Sequence, residues 1–222
     1  VMDQGWSGGS VTALWFQRMS APLACDASCL SMQEQQWSSR LPKVRSDVFI
    51  RSRVWMRACL AERFSLSPKA VPLQAPPGEP PTLPSGWGFL SLSHCPDALL
   101  LGCSMHAIGL DLERRDRLIP AASILQRSYG HGERKRLQHL CAEDLRQAVL
   151  KHWLIKEASI KWQQGSIARD LRFWEVCPGM TSVVHQRSHQ KLAAVLHGYD
   201  SWEFAVVAAD QQVLQSLALC LT

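Results

Sequence analysis

The chain has 222 residues, enough for one large domain or two small ones around a buried core. Hydrophobic residues make up 46% and charged residues 19%, a globular balance that excludes a disordered or fibrous chain. The 24 Lys and Arg against 19 Asp and Glu leave a net +5. Residues 40–63 alone supply that excess, because Arg40, Lys43, Arg45, Arg51, Arg53, Arg57 and Arg63 are opposed only by Asp47 and Glu62. Such a local field suits a phosphate-bearing ligand or an acidic partner, and equally describes a solvated helix face. The longest uncharged apolar stretch, Ala98 to Met105, is eight residues, far short of the ~20 that span a bilayer. The opening VMDQGWSGGS lacks the basic and apolar regions of a secretory leader, so the expectation is a soluble cytoplasmic protein that does not engage a membrane. Eight cysteines form no CxxC pair and read as reduced, mostly buried thiols, while nine tryptophans read mostly as core anchors.

In chain order, Val11 to Phe16 is apolar and reads as a strand. A helix is predicted near Asp47 to Phe64, capped by Ser46 or Asp47, with Ile50, Val54 and Ala61 at helical spacing. Arg53 and Arg57 stand one turn apart on another face of it. Residues 68–84 hold seven prolines in seventeen positions and read as a surface loop. WGFLSLS (87–93) and ALLLGCS (98–104) then read as an antiparallel pair around a turn at His94 to Asp97.

AIGLDLE (107–113) is a short strand, and a charged helical stretch runs from about Ala121 to Trp162. RFWEVC (172–177), TSVVHQR (181–187), KLAAVLH (191–197) and SWEFAVVAA (201–209) alternate as an antiparallel meander. Neither the start of the chain before residue 35 nor the tail after Asp210 carries a motif. The expected fold is α/β, of the α+β kind, with two pseudo-symmetric halves (1–104 and 105–222), each a small antiparallel sheet with helices.

Two patterns carry chemistry. On a strand, Gly109, Asp111 and Glu113 share one face, where two carboxylates stand beside a glycine that leaves room for a ligand at the backbone. Hard cations such as Mg²⁺ take such oxygen ligands, although an edge strand with a polar face has the same pattern. On a helix, Trp153, Glu157 and Lys161 fall at i, i+4 and i+8 along one stripe, with Lys156 one residue round. Glu157 offers a third carboxylate and Lys161 a cation for a phosphate, and an ordinary surface Glu–Lys pair reads the same way.

Together, GxDxE at 109–113, WxxKExxxK at 153–161 and Ser-Leu-Ser-His at 91–94 resemble the Sfp-type 4′-phosphopantetheinyl transferases in order and spacing. The element plan from residue 40 to 209 resembles that family as well, and the KWQQG stretch from Lys161 resembles its cyanobacterial members. The resemblance implies transfer of the phosphopantetheine arm of coenzyme A to a serine of an apo acyl, polyketide or peptidyl carrier protein, with release of 3′,5′-ADP. It implies that Asp111, Glu113 and Glu157 hold Mg²⁺, with Mn²⁺ as the alternative ion. It gives Lys161, and as a second contact Lys156, to the pyrophosphate.

Ser93, His94 and Arg53 are implied at the 3′-phosphate, with Lys43 and Arg45 as looser basic matches, and a buried structural role stays open for His94. The proton acceptor is Glu157, acting through a water, or Glu133 in a Gly-rich segment expected to be mobile. Coenzyme A is expected between the halves of a monomer. The chain departs from the family pattern at Ser91 and Cys95, at Gly78-Glu79-Pro80 where a lysine is usual, and at Gly165-Ser166. The rival reading is a basic adaptor that binds nucleic acid without catalysis. Yet its tryptophans lie in apolar segments and no nucleic-acid-binding motif appears.

Overall fold

A computed structural model describes residues 11–221; the opening decapeptide, read above for a leader and containing Trp6, lies outside the described residues. The first half begins with β1 (Thr12–Arg18), followed by α1 (Met32–Ser39) and α2 (Lys43–Phe64). Strands β2 (Phe89–Cys95) and β3 (Ala98–Ser104) form the expected hairpin. The second half contains β4 (Ile108–Arg114), α3 (Ala121–Ser128), α4 (His131–Leu137), α5 (Ala142–Gln163) and α6 (Ile167–Asp170). It continues through β5 (Trp174–Val176), β6 (Ser182–His185), β7 (Lys191–Tyr199) and β8 (Trp202–Ala208). Helix α7 (Gln211–Gln215) and β9 (Leu217–Leu221) close the described chain.

The first sheet has the order β2-β3-β1-β9 and the second β4-β8-β7-β6-β5. Alternation along the strands stacks the layers. Trp15, Leu99 and Leu101 face α2, where they meet Trp55, Met56 and Leu60. Leu14, Phe16 and Leu100 face the other way, against Leu110, Leu112, Phe204 and Val206 of the second sheet. On that sheet's far side, Ala205 and Val207 pack on Leu154, Ile155 and Ala158 of α5. The result is a mixed α+β fold of two halves, as the sequence predicts; its layers run helix–sheet–sheet–helix, and the first sheet is not wholly antiparallel as expected, because β9 joins β1 in parallel.

Four local expectations change. Helix α2 starts at Lys43 after Pro42, four residues before the expected start, so Lys43 and Arg45 occupy its first turn. Residues 68–84 are more than a surface loop: Val71, Leu73 and Ala75 are buried against α2. The reason lies in the prolines, which have carbonyls but no N–H donors, so the segment needs outside donors. Arg57 supplies them to the carbonyls of Pro68 (2.9 Å) and Val71 (3.0 Å) while its Nε binds Glu34 at 2.7 Å, both side chains fully buried. Much of the basic excess of residues 40–63 is therefore structural. The charged helical stretch splits into α3, α4 and α5, and the motif-free tail forms α7 and β9, with β9 pairing parallel to β1 across the halves.

Candidate active site

A cleft of about 980 Å³ runs from the start of α2 and the proline-rich segment, past the edge of β2, to the junction of β4 with α5. Arg45, Phe49 and Arg53 line it from one stripe of α2, spaced i, i+4, i+8. Arg53 is aimed by the segment beside it. Its Nε donates to the Ala75 carbonyl (2.9 Å), its Nη1 to Ser52 Oγ (3.0 Å), and its guanidinium lies 4.4 Å from the Phe49 ring centre. Burial lowers its pKa to about 10, so it stays charged at neutral pH. Lys43, in the first turn of α2 with Arg45, is exposed and outside the cleft lining.

The floor is built by β4 and α5, and Gly109 decides how closely they approach. A Cβ there would sit 1.9 Å from the Ala158 carbonyl oxygen. The glycine thus makes room for a helix, where the sequence suggested room for a ligand. With α5 pressed onto β4, Lys161 Nζ reaches Asp111 Oδ1 at 2.7 Å, and Glu157 lines the same floor. Burial, then the charge of Asp111, raises the Glu157 pKa to about 7.

Ser93 joins this cluster from β2. Its hydroxyl donates to Asp111 Oδ1 (2.8 Å) and accepts from Lys161 Nζ (2.8 Å) and the Leu112 N–H (3.1 Å). One donor and two lone pairs are all a serine hydroxyl has, so these three partners use its full capacity, while Ser93 still lines the cleft. His94, the next residue, stands on the rim with much of its surface exposed, and its pKa is lowered first by partial desolvation and then by the charge of Lys161.

Glu113 points elsewhere. It lines a neighbouring cavity of about 570 Å³ with Met19, Val48, His94 and Arg117, and its Oε2 is paired with Arg117. Arg117 escaped the sequence reading although it stands at i+4 from Glu113. The cleft's apolar wall of Phe49, Leu90 and Leu92 was not singled out either, and Gln164 only as part of the KWQQG stretch.

Lys156 and Glu133 lie inside the second half, both fully buried and 2.6 Å apart. Glu133 Oε1 also accepts from Val176 N–H (3.1 Å) and meets His152 Nδ1 (3.1 Å), while Oε2 accepts from Gly130 N–H (3.1 Å). Lys156 stacks 3.9 Å from the Tyr129 ring centre. Neither lines the cleft, and the segment holding Glu133 is anchored by its carboxylate, against the expected mobility.

Among the described residues no three His, Cys, Asp or Glu side chains are gathered as a metal cage. Asp111 and Glu157 nevertheless form a two-carboxylate set whose mutual repulsion a cation would relieve. Mg²⁺ commonly takes one or two protein carboxylates and completes its shell with phosphate oxygens and water, so the pair fits it. The third expected ligand, Glu113, is held by Arg117.

No curated protein sequence matches the chain. The family model of the 4′-phosphopantetheinyl transferase superfamily matches residues 107–213, which include Asp111, Glu157 and Lys161. That superfamily uses coenzyme A as co-substrate, is generally Mg-dependent and acts on carrier proteins. The matched segment begins at β4 and ends in α7, so it covers the half that builds the cleft floor. Residues 107–213, just under half of the chain, are thus similar to the 4′-phosphopantetheinyl transferase superfamily domain.

Proposed function

We propose that the chain is an Sfp-type transferase, akin to cyanobacterial members, that moves the 4′-phosphopantetheine arm of coenzyme A onto a serine of an apo carrier protein and releases 3′,5′-ADP. The observation that carries this reading is one cleft with cationic Arg45 and Arg53 at one end and Asp111, Glu157 and Lys161 at the other. A nucleotide bearing a 3′-phosphate and a pyrophosphate has its charges distributed in that way.

Arg53, with Arg45, His94 and Lys43 around it, holds the 3′-phosphate. Asp111 and Glu157 hold Mg²⁺, with Glu113 joining once released from Arg117; the ion supplies charge neutralisation at the pyrophosphate. Lys161 spends two donors on Asp111 and Ser93 and offers the third to a phosphate oxygen. Glu157, which as a metal ligand is a poor direct base, accepts the serine proton through a bridging water. Glu133 and Lys156 leave the reaction to the others, because their charges are spent on each other inside the fold.

The first half serves the nucleotide and the second the metal and phosphates, with the division near residue 104, and a single chain suffices. The eight thiols are free, which suits a cytoplasmic enzyme. A nucleic-acid adaptor is less well supported, because Trp15, Trp55, Trp174 and Trp202 are buried and cannot stack on bases. The test is incubation with coenzyme A, Mg²⁺ and apo carrier proteins of fatty-acid, polyketide and peptide synthases, read by intact mass. One phosphopantetheine added to the carrier serine, abolished by EDTA and by Asp111→Ala, is expected. No adduct on any carrier, or full activity of Asp111→Ala, overturns the reading.

A further inference from the structure

The two sheets meet at their edges through side chains. Strands β2 and β4 lie side by side, but no backbone ladder joins them: among the described residues β2 pairs with β3 and β4 with β8. The β4 N–H groups facing β2 are instead taken by hydroxyls, Leu110 N–H by Ser91 Oγ (3.0 Å) and Leu112 N–H by Ser93 Oγ (3.1 Å). The serines are two positions apart and so are their donors, in the same chain direction, so the strands run parallel in a seam one side chain wide. All four positions are buried. The seam satisfies an edge that would otherwise be left with unpaired donors.

Only one of the two hydroxyls does more than close the seam. Ser91 takes its backbone donor, whereas Ser93 also binds Asp111 Oδ1 and Lys161 Nζ. Asp111 and Lys161 belong to the second half and Ser93 to the first, 18 and 68 residues away in sequence. A hydroxyl with all three of its bonds directed fixes the carboxylate rotamer and the ammonium position together.

We propose that Ser93 is a positioning residue, which sets Asp111 and Lys161 in register with the nucleotide-holding half. The proposal rests on the transferase reading for its purpose and on the hydrogen bonds alone for its geometry. Partners that orient a metal-ligating group commonly change metal affinity by about 10–100-fold when removed.

The experiment compares Ser93→Ala, Ser93→Thr and Ser91→Ala in the full chain. Free Mn²⁺ is followed by electron paramagnetic resonance, affinities for coenzyme A and 3′-dephospho-coenzyme A by calorimetry, and melting temperature in parent and Asp111→Asn backgrounds. Ser93→Ala is expected to weaken Mn²⁺ binding about tenfold and both nucleotides by equal factors. Its melting temperature should fall by about 2–4 °C in the parent and by less than half as much beside Asp111→Asn. Ser93→Thr, which keeps the hydroxyl, restores Mn²⁺ binding, and Ser91→Ala leaves it within twofold. Preferential loss of coenzyme A over its dephospho form would make Ser93 a phosphate contact and overturn the proposal. So would equal melting shifts in the two backgrounds. A parent chain that binds neither Mn²⁺ nor coenzyme A removes the transferase reading, and the melting comparison still decides the Ser93 node.

Discussion

Glu157 is a carboxylic acid poised to ionise near neutrality, with burial as the larger cause and the charge of Asp111 as the second. A folded-state pKa raised from 4.5 to about 7 means that the native state holds a proton the unfolded chain releases. Its contribution to stability is therefore complete below about 4.5 and is lost as pH rises through about 7. In EDTA, the melting temperature of the parent should decline between pH 5 and 7 relative to Glu157→Gln, which removes the titrating group. Parallel profiles would show that Glu157 is not the group involved. Glu133 gives the opposite kind of result. Its charge is matched inside the fold by Lys156, and removing one member of a buried pair costs about 3–5 kcal/mol. Glu133→Gln should therefore lower the denaturation midpoint sharply, and any loss of turnover should follow the loss of folded protein. A fully stable variant with turnover reduced a hundredfold would restore Glu133 as the base.

Helix α5 and strand β4 form the element pair on which the site depends, and Gly109 is where they touch. A methyl group at 1.9 Å from the Ala158 carbonyl oxygen has no room, and the obstacle is backbone, so the helix must move. Overpacking of this kind costs about 1–3 kcal/mol, and the displacement draws Lys161 away from Asp111. Gly109→Ala should lower both melting temperature and coenzyme A affinity. Gly179→Ala is the comparison for losing a glycine elsewhere; there φ is +81°, with nothing near the added Cβ, so only stability should fall. Unchanged coenzyme A affinity in Gly109→Ala would show that the β4–α5 contact does not set the site.

At the scale of the molecule, the halves share a core between their sheets, and polar ties close one end of it. Asp97, in the β2–β3 turn, accepts from Arg114 Nη1 (2.7 Å) of β4 and Trp202 Nε1 (3.0 Å) of β8. Arg18 and Asp200 pair at 2.6 Å in a more exposed position. Because the cleft draws on both halves, loosening this end should weaken nucleotide binding as well as stability. Asp97→Ala is expected to lower the melting temperature by about 2–4 °C and coenzyme A affinity with it. Arg18→Ala, which removes an exposed pair, should change little. Equal effects from the two variants would remove the distinction.

Short-range pattern was enough to make the two-half plan, the β2–β3 hairpin, the meander and the stripe of Glu157 and Lys161 legible in the sequence. Alternation and helical spacing report local backbone geometry and which side chains share a face. They do not report what a face meets. The start of α2 was missed because Pro42 offers no side-chain cap, and β9 because its partner β1 lies at the opposite end of the chain. The partners of the charged groups were likewise hidden. Apart from the Gly130 N–H, Glu133 is bound by groups 19 to 43 residues away, Arg53 by a carbonyl 22 residues on, and Ser93 by a lysine 68 residues on. Sequence by itself determined which residue types stand on which strand and helix face. Only the tertiary structure decided that Gly109 admits a helix, that Glu113 meets Arg117 and that Lys156 is spent on Glu133, because the partner of a buried charge depends on how distant elements pack.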